Sequence, residues 1–135
     1  MHIILEHVAV GEYEEALSPS PGISALLCVA RERNLTSPKL PYHKVPIVDA
    51  AVVPPEQLAD AVEWIHRTAE AGAGKVLVFA GQGISRPPSV VIAYLCLRMG
   101  YPFEQAVETV ARRISPISLL PGLAAAVEEA RRKGL

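Results

Sequence analysis

The chain contains 135 residues, half of them hydrophobic, with 13 Lys and Arg against 14 Asp and Glu. This length fits a single folded domain spanning residues 1–135, and the apolar content is enough for a core, which excludes a disordered chain. A net charge of −1 provides no basic field. The composition therefore argues against a general nucleic-acid binder and against a protein that binds anionic membranes.

The cysteines and histidines give no sign of a disulfide framework or a metal site. Cys28 and Cys96 both lie in apolar segments, where a thiol is usually buried and inert. The four histidines have no ligand spacing with Cys, Asp or Glu, so we expect neither a metal nor another cofactor. The first residues lack the basic start and the cleavage pattern of a signal peptide, which predicts a cytoplasmic protein.

The first part of the chain is predicted to be mostly strand. Residues 2–10 form one or two short strands, followed by a polar turn with the sequence EYEEAL. The apolar run at 24–30 suits a buried strand, and Val45–Val48 is predicted to be another strand that ends at Asp49. The segment LTSPKLPYHK between them is predicted to be a loop.

The rest of the chain alternates between helix and strand. Pro54 and Pro55 open a helix with one apolar stripe, and residues 75–80 are apolar in the way expected of a central strand buried on both faces. Three further helices are predicted at 87–99, 103–114 and 123–132. The alternation predicts an α/β fold with a central mixed, mostly parallel sheet of about four or five strands, flanked by helices.

The segment from Lys75 to Leu95, KVLVFAGQGISRPPSVVIAYL, carries the clearest chemical signal. Gly81 and Gly83 in its loop permit unusual backbone angles and let amides approach a ligand. Such amides, together with the N-terminus of the following helix, can cradle an anion. Arg86 can then grip a phosphoryl group with two parallel hydrogen bonds. For so short a motif, however, a simple turn with a surface arginine is the commoner outcome.

This segment resembles the signature of the dual-specificity, tyrosine-phosphatase-like cysteine phosphatases. That signature is His-Cys, five residues, Arg, then Ser or Thr, between a strand like KVLV and an apolar helix like VIAYL. The segments VGEYEEAL, GISALLCVARE, HKVPIVD and YPFEQAVETVARR resemble others in the same order, over nearly the whole chain. The resemblance implies the fold of that family and a phosphate-binding loop. The loop residues that it implies are Gly81, Gln82, Gly83, Ile84, Ser85 and Arg86.

Four positions matter most for the chemistry that the resemblance implies. Ala80 stands at the position of the nucleophilic cysteine, Phe79 at that of the histidine, and Pro87 at that of the Ser or Thr. The family mechanism is attack of a low-pKa thiolate on phosphorus, followed by hydrolysis of the phosphocysteine. Alanine offers no nucleophile, so we expect an inactive protein. Asp49 falls at the position of the general acid, although an ordinary loop carboxylate is the alternative.

Several functions remain open at this point. The first is a pseudophosphatase that binds phosphate, sulfate, a phosphorylated ligand or a phosphoprotein in the loop 80–86. The second is a genuine phosphatase in which Ala80 was engineered in place of a cysteine. Because an engineered trap would change position 80 alone, the departures at Phe79 and Pro87 favour a natural loss. Ser85 is expected to support the loop rather than to act as the nucleophile. A sulfur-transfer domain would need the same missing cysteine.

Overall fold

The computed structural model of the protein describes residues 1–72 and 74–135. Five strands form one sheet, in the spatial order β1-β2-β5-β3-β4. In chain order they are β1 (His2–Leu5), β2 (Val8–Glu12), β3 (Ile23–Cys28), β4 (Tyr42–Lys44) and β5 (Lys75–Ala80). The pair β1 and β2 is antiparallel, and the other neighbouring pairs are parallel. The predicted mixed, mostly parallel sheet is confirmed.

Helices flank this sheet, and one of them is almost entirely enclosed. The described residues form α1 (Tyr13–Leu17), α2 (Pro55–Glu70), α3 (Arg86–Met99), α4 (Phe103–Ala111) and α5 (Leu123–Arg132). Helix α3 packs against α2, α4 and α5 as well as against the sheet, so its first eleven residues are all buried. No helix in residues 1–72 and 74–135 is long and apolar enough to cross a bilayer.

One short helix replaces a predicted turn. The segment EYEEAL contains α1, because the residues before and within it satisfy each other's backbone groups. The Glu12 side chain accepts a hydrogen bond from the backbone N–H of Glu15, and the Glu15 carboxylate accepts one from the N–H of Glu12 over 2.9 Å. This reciprocal capping stabilises the first turn of a helix. The acidic residues that suggested a solvated turn are therefore the caps.

The prediction of a strand at Val45–Val48 was wrong. The parallel partner of β3 is β4, which lies in the segment LTSPKLPYHK that was expected to be a loop, and residues 45–48 have no regular structure. Val45 and Ile47 are nevertheless completely buried. Because a buried irregular segment is as apolar as a strand, composition alone did not separate the two.

The central strand β5 ends directly before the glycine-bearing loop. It pairs with β2 on one side and with β3 on the other, and its side chains from Val76 to Phe79 are completely buried. The carboxyl ends of parallel strands meet at one edge of a sheet, where ligand sites of α/β proteins form. The loop at 81–85 therefore lies beside the residues that follow β2 and β3.

Two hydrogen bonds fix the loop and the start of α3 against the segment before α5. The N–H of Ser118 donates to the carbonyl of Ile84 over 2.8 Å. The N–H of Leu120 donates to Oγ of Ser89 over 3.1 Å, and Ser89 is completely buried. Since buried polar groups need hydrogen-bond partners, the bond between Leu120 N–H and Ser89 Oγ is required within the core.

We expect Ser89→Ala to lower the free energy of unfolding by about 1–3 kcal/mol, because it leaves the buried N–H of Leu120 without an acceptor. Urea unfolding followed by circular dichroism measures the loss. The matched control is Ser20→Ala, since Ser20 is exposed and its hydroxyl makes no hydrogen bond in the described part of the chain. Equal stability of the two variants would contradict the structural role of Ser89.

Candidate functional site

A cleft of about 780 Å³ opens over the loop that follows β5. Its walls come from the loop, the β2–α1 junction, the segments after β3 and β4, and the segment before α5. The lining residues are Glu12, Glu14, Glu32, Arg33, Asp49, Ala50, Gly81, Gln82, Ile84, Ser85, Arg86, Ser118, Leu119 and Pro121. The structure thus brings Asp49 together with most of the loop residues that the sequence predicted for the site.

The two loop glycines allow close approach rather than an unusual backbone angle. Neither Gly81 nor Gly83 has a φ in the left-handed region, so that expectation was wrong. A Cβ on Gly83 would lie 3.2 Å from the carbonyl oxygen of Gly11, closer than ordinary contact. The loop can therefore pass over the end of β2. A Cβ on Gly81 would lie 3.4 Å from Nε of Arg33, which shows that this guanidinium lies alongside the loop.

The residues at the end of β5 supply no nucleophile. Ala80 has a methyl side chain that is almost completely buried, at 1% exposure. Phe79 is completely buried, with its ring centroid 6.5 Å from that of Tyr13. Cys28 and Cys96 are both buried, and neither lines the cleft. Burial also raises the pKa of the Cys96 thiol, which disfavours its thiolate.

Arg86 is buried, and its guanidinium is held by two other segments of the chain. Nη1 donates to Oε1 of Glu32 over 2.8 Å and to the carbonyl of Ile47 over 3.0 Å. Nη2 donates to Oε2 of Glu32 over 2.5 Å. The hydrogen bonds between the two side chains lower the pKa of the Glu32 carboxyl to about 2 and raise the pKa of Arg86. Three of the five N–H donors of the guanidinium are therefore already used.

The other two donors of Arg86 lie on one edge of the guanidinium. They are the Nε–H and the second Nη2–H, a parallel pair that matches the oxygens of a phosphate or carboxylate. Oδ1 of Asp49 lies 3.7 Å from Nε, and 61% of the Asp49 side chain is exposed. This distance is that of an ion pair without a direct hydrogen bond. A bound anion would thus compete with the Asp49 carboxylate for this edge.

Backbone donors of the loop add to this edge. Within residues 1–72 and 74–135, the N–H groups from 81 to 85 donate no hydrogen bond to a protein oxygen. The start of α3 contributes little beyond them, because Pro87 and Pro88 have no N–H and the N–H of Ser89 is bonded inside the helix. The amides available for an anion are therefore those of the loop and of Arg86.

Sequence reasoning missed the acidic partner of Arg86 and the second arginine of the cleft. Glu32 and Arg33 belong to the charged segment RERN, which closely follows β3. Their position after a strand parallel to β5 was the available signal, since such segments meet at the same edge. Arg33 stacks over the ring of Tyr13, with 4.9 Å from its Cζ to the ring centroid. In the described residues no three His, Cys, Asp or Glu side chains form a group that could hold a metal ion.

The family of the protein follows from comparison with known sequences. The profile of the dual specificity phosphatase catalytic domain matches residues 10–133. The chain belongs to the dual specificity phosphatase family. Dual specificity protein phosphatase 5 from Rattus norvegicus and from Homo sapiens are each 32% identical to it over 98 residues. The match covers 71% of this chain and 25% of each relative, so the chain spans about a quarter of their length.

Solved structures share the same fold. The human tyrosine phosphatase-like serine/threonine/tyrosine-interacting protein superposes with a TM-score of 0.85 at 25% identity, covering 99% of this chain and 97% of that chain. Human DUSP28 superposes with a TM-score of 0.85 at 20% identity, covering 98% and 96%. The fold that the resemblance implied is confirmed.

We expect Glu32→Gln to lower the free energy of unfolding by about 1–2 kcal/mol near neutral pH, because it weakens charge-assisted bonds to a buried guanidinium. The folded-state pKa of Glu32 is about 2, against an ordinary value of 4.5. Its contribution is therefore fully present above about pH 4.5 and is lost as the pH falls toward 2. Urea unfolding of the unmodified protein and of Glu32→Gln at pH 6, 4 and 3 measures the difference between their free energies of unfolding. This difference should shrink as the pH falls.

The control for this pH series is Glu104→Gln. Glu104 is exposed in the first turn of α4 and forms no ion pair among the described residues. The free energy of unfolding of this variant should differ little from that of the unmodified protein, because Glu104 has no ion-pair partner to lose in the described residues. If the difference in free energy of unfolding between Glu32→Gln and the unmodified protein does not change with pH, the Arg86–Glu32 contact does not persist in solution.

Proposed function

We propose that this domain is a pseudophosphatase, which binds phosphorylated ligands in the loop 80–86 without hydrolysing them. The observation that carries the proposal is the side chain of Ala80. This residue ends β5 and precedes Arg86 by six positions, which is the spacing of the nucleophile in the family signature. Its methyl group cannot attack phosphorus. In another covalent hydrolase, loss of the nucleophile lowers turnover by about 10⁶-fold.

The donors around the loop support binding of an oxyanion. The two unused N–H groups of Arg86 form a fork, and the amides of 81–85 have no partner in the described part of the chain. The missing thiolate also removes a negative charge that would repel the ligand. Two unit charges about 4 Å apart interact by roughly 4 kcal/mol at an effective dielectric constant near 20, and solvent reduces this further.

Asp49 has a different role in this proposal from that of a general acid. With no thiolate to attack phosphorus, the P–O bond of the ligand is not broken, so no departing oxygen needs a proton from Asp49. Its carboxylate instead lies 3.7 Å from Nε of Arg86, where it balances the charge of the unused edge. A ligand anion would displace this carboxylate, which is largely exposed and able to turn toward solvent.

The alternative is an active phosphatase lineage in which Ala80 replaces a native cysteine. The 32% identity to dual specificity protein phosphatase 5 is compatible with it. The pseudophosphatase is favoured because Phe79 and Pro87 also depart from the signature. The solved structure at 25% identity is that of a protein named phosphatase-like and interacting. That name describes contacts with other molecules, which is a parallel for the binding role proposed here.

We expect the protein to hydrolyse an aryl phosphate no faster than buffer alone, because Ala80 supplies no thiolate. Release of the chromogenic phenolate from p-nitrophenyl phosphate measures the rate, with Arg86→Lys as the control for contaminating activity. Turnover that survives repurification and disappears in Ser85→Ala would establish a serine mechanism and overturn the proposal.

Restoring the cysteine extends the same test. Ala80→Cys alone should remain weak, since Phe79 and Pro87 offer no polar support for a thiolate. Phe79→His with Ala80→Cys and Pro87→Ser should be faster, provided that circular dichroism shows a folded protein, because Phe79 is completely buried. A rate normal for a phosphatase in the single variant would favour the alternative of a replaced native cysteine.

We expect inorganic phosphate to shift the amide NMR signals of residues 81–86. Asp49→Asn should tighten binding about twofold to fivefold, since it removes an exposed carboxylate that competes for Arg86. Arg86→Lys should weaken binding, because lysine cannot present the parallel pair of donors. Glu104→Gln serves as the charge-matched control for Asp49→Asn. Absence of shifts at 81–86 would contradict an anion site in this loop.

A further inference from the structure

The charges around the loop do not suit every phosphorylated ligand equally. Four carboxylates and two arginines line the cleft, so its lining carries a net charge of −2. Arg86 is neutralised by Glu32 through two hydrogen bonds. The β2–α1 junction adds Glu12 and Glu14, and Asp49 lies on the other side of Arg86. Outside the loop, a ligand that brings only negative charge would meet more carboxylates than cations, because Arg33 is the one arginine of the lining that is not paired with Glu32.

The carboxylate of Glu14 is the most available of these charges. Glu14 is exposed and forms no ion pair in the described part of the chain. Glu12, in contrast, caps α1 and is engaged with the backbone of Glu15. Because Glu14 lines the cleft without a cation of its own, a cationic side chain of a ligand would complement it.

The cleft wall near the start of α3 is apolar instead. Ile84 is 44% exposed and Leu119 is 36% exposed, and Pro121 continues the same wall. The hydrogen bond from Ser118 N–H to the Ile84 carbonyl holds the two sides of this wall together. Exposed aliphatic side chains at the mouth of a cleft can bury an apolar side chain of a partner.

These observations distinguish a protein segment from a membrane surface. An anionic lipid surface attracts clusters of Lys and Arg and is repelled by carboxylates. Here three carboxylates (Glu12, Glu14 and Asp49) outnumber the one arginine of the cleft, Arg33, that is not paired with Glu32. A peptide can place cations beside its phosphate, whereas a phosphorylated lipid in an anionic bilayer cannot.

Resting on the proposed function, we propose that the ligand is a phosphorylated protein segment with a Lys or Arg next to the phosphorylated residue and an apolar side chain near it. The phosphate occupies the loop and the open edge of Arg86. The cationic side chain lies against Glu14, and the apolar side chain packs on Ile84 and Leu119. The acidic lining therefore selects the sequence context of the phosphate.

The test compares three fluorescent phosphotyrosine peptides that differ only in the residues flanking the phosphotyrosine. These are Lys and Arg in the first peptide, Ala in the second and Glu in the third. Fluorescence anisotropy at low salt should give the order Lys and Arg tightest, Ala intermediate, Glu weakest. Glu14→Gln should reduce the preference for the basic peptide about twofold to fivefold, as expected for one exposed charge pair. Glu104→Gln should leave the order and the spacing of the three affinities unchanged. Raising the salt concentration should narrow the differences.

Three results would overturn the inference by itself. These are equal or tighter binding of the peptide with Glu flanks, an unchanged preference in Glu14→Gln, and stronger binding to vesicles of phosphatidylcholine with a phosphoinositide than to any peptide. The NMR titration with inorganic phosphate separates this failure from failure of the proposed function. Phosphate binding without a flank preference leaves the proposed function standing. Equal binding of the unphosphorylated basic peptide, without phosphate binding, overturns the proposed function and the present inference together.

Discussion

The pair of hydrogen bonds between Arg86 and Glu32 is the contact on which the site depends. It joins the first residue of α3 to the segment after β3, across a separation of 54 residues. The third bond, to the carbonyl of Ile47, brings in the irregular segment before Asp49. The end of the loop, the acidic wall and the Asp49 carboxylate therefore share one anchor. Since the guanidinium is almost completely buried, loss of that anchor would leave the exposed Asp49 carboxylate, 3.7 Å from Nε, as its counter-charge.

In the proposed phosphate site, this anchor would also limit which anions bind. Glu32 takes the outer edge of the guanidinium and cancels much of its charge, while the edge carrying Nε keeps its geometry. The site thus combines N–H donors that are well placed for an anion with a weak net electrostatic attraction for it. Discrimination between ligands must then come from the surroundings of the phosphate, where carboxylates and aliphatic side chains lie on different walls. Specificity in such a cleft depends on repelling the wrong partners as much as on attracting the right one.

The sequence predicted the long and periodic elements best. The strand β5 and the helices α2, α3 and α5 have unbroken apolar runs or stripes. Because such patterns depend on which side chains are buried, they can be recognised from the sequence. The strand at 45–48 failed because a buried irregular segment has the same composition, and α1 was missed because its caps are acidic residues that read as a solvated turn.

Sequence reasoning reached the lining of the cleft only where one segment carries it. Arg86 and most of the loop residues line the cleft, and they lie in the contiguous stretch that the motif singled out. Glu32 was missed because its partner is 54 residues away, and the pairing follows from strand order rather than from local sequence. Asp49 lies beside Arg86 although the strand expected to place it does not exist. The carbonyl of Ile47 accepts hydrogen bonds from Nη1 of Arg86 and from the N–H of Arg31, and the N–H of Val45 donates to the carbonyl of Cys28, so these bonds hold the segment near the guanidinium.

The two prolines at the start of α3 have a consequence for how a ligand is received. Pro87 and Pro88 deprive the helix of two N–H donors, but their rings fix φ immediately after Arg86. The backbone that carries the guanidinium is therefore stiff before any ligand arrives. Binding then orders little of the chain at this point, so less conformational entropy is lost than at a flexible loop. A modest number of hydrogen bonds can give a useful affinity in such a rigid frame.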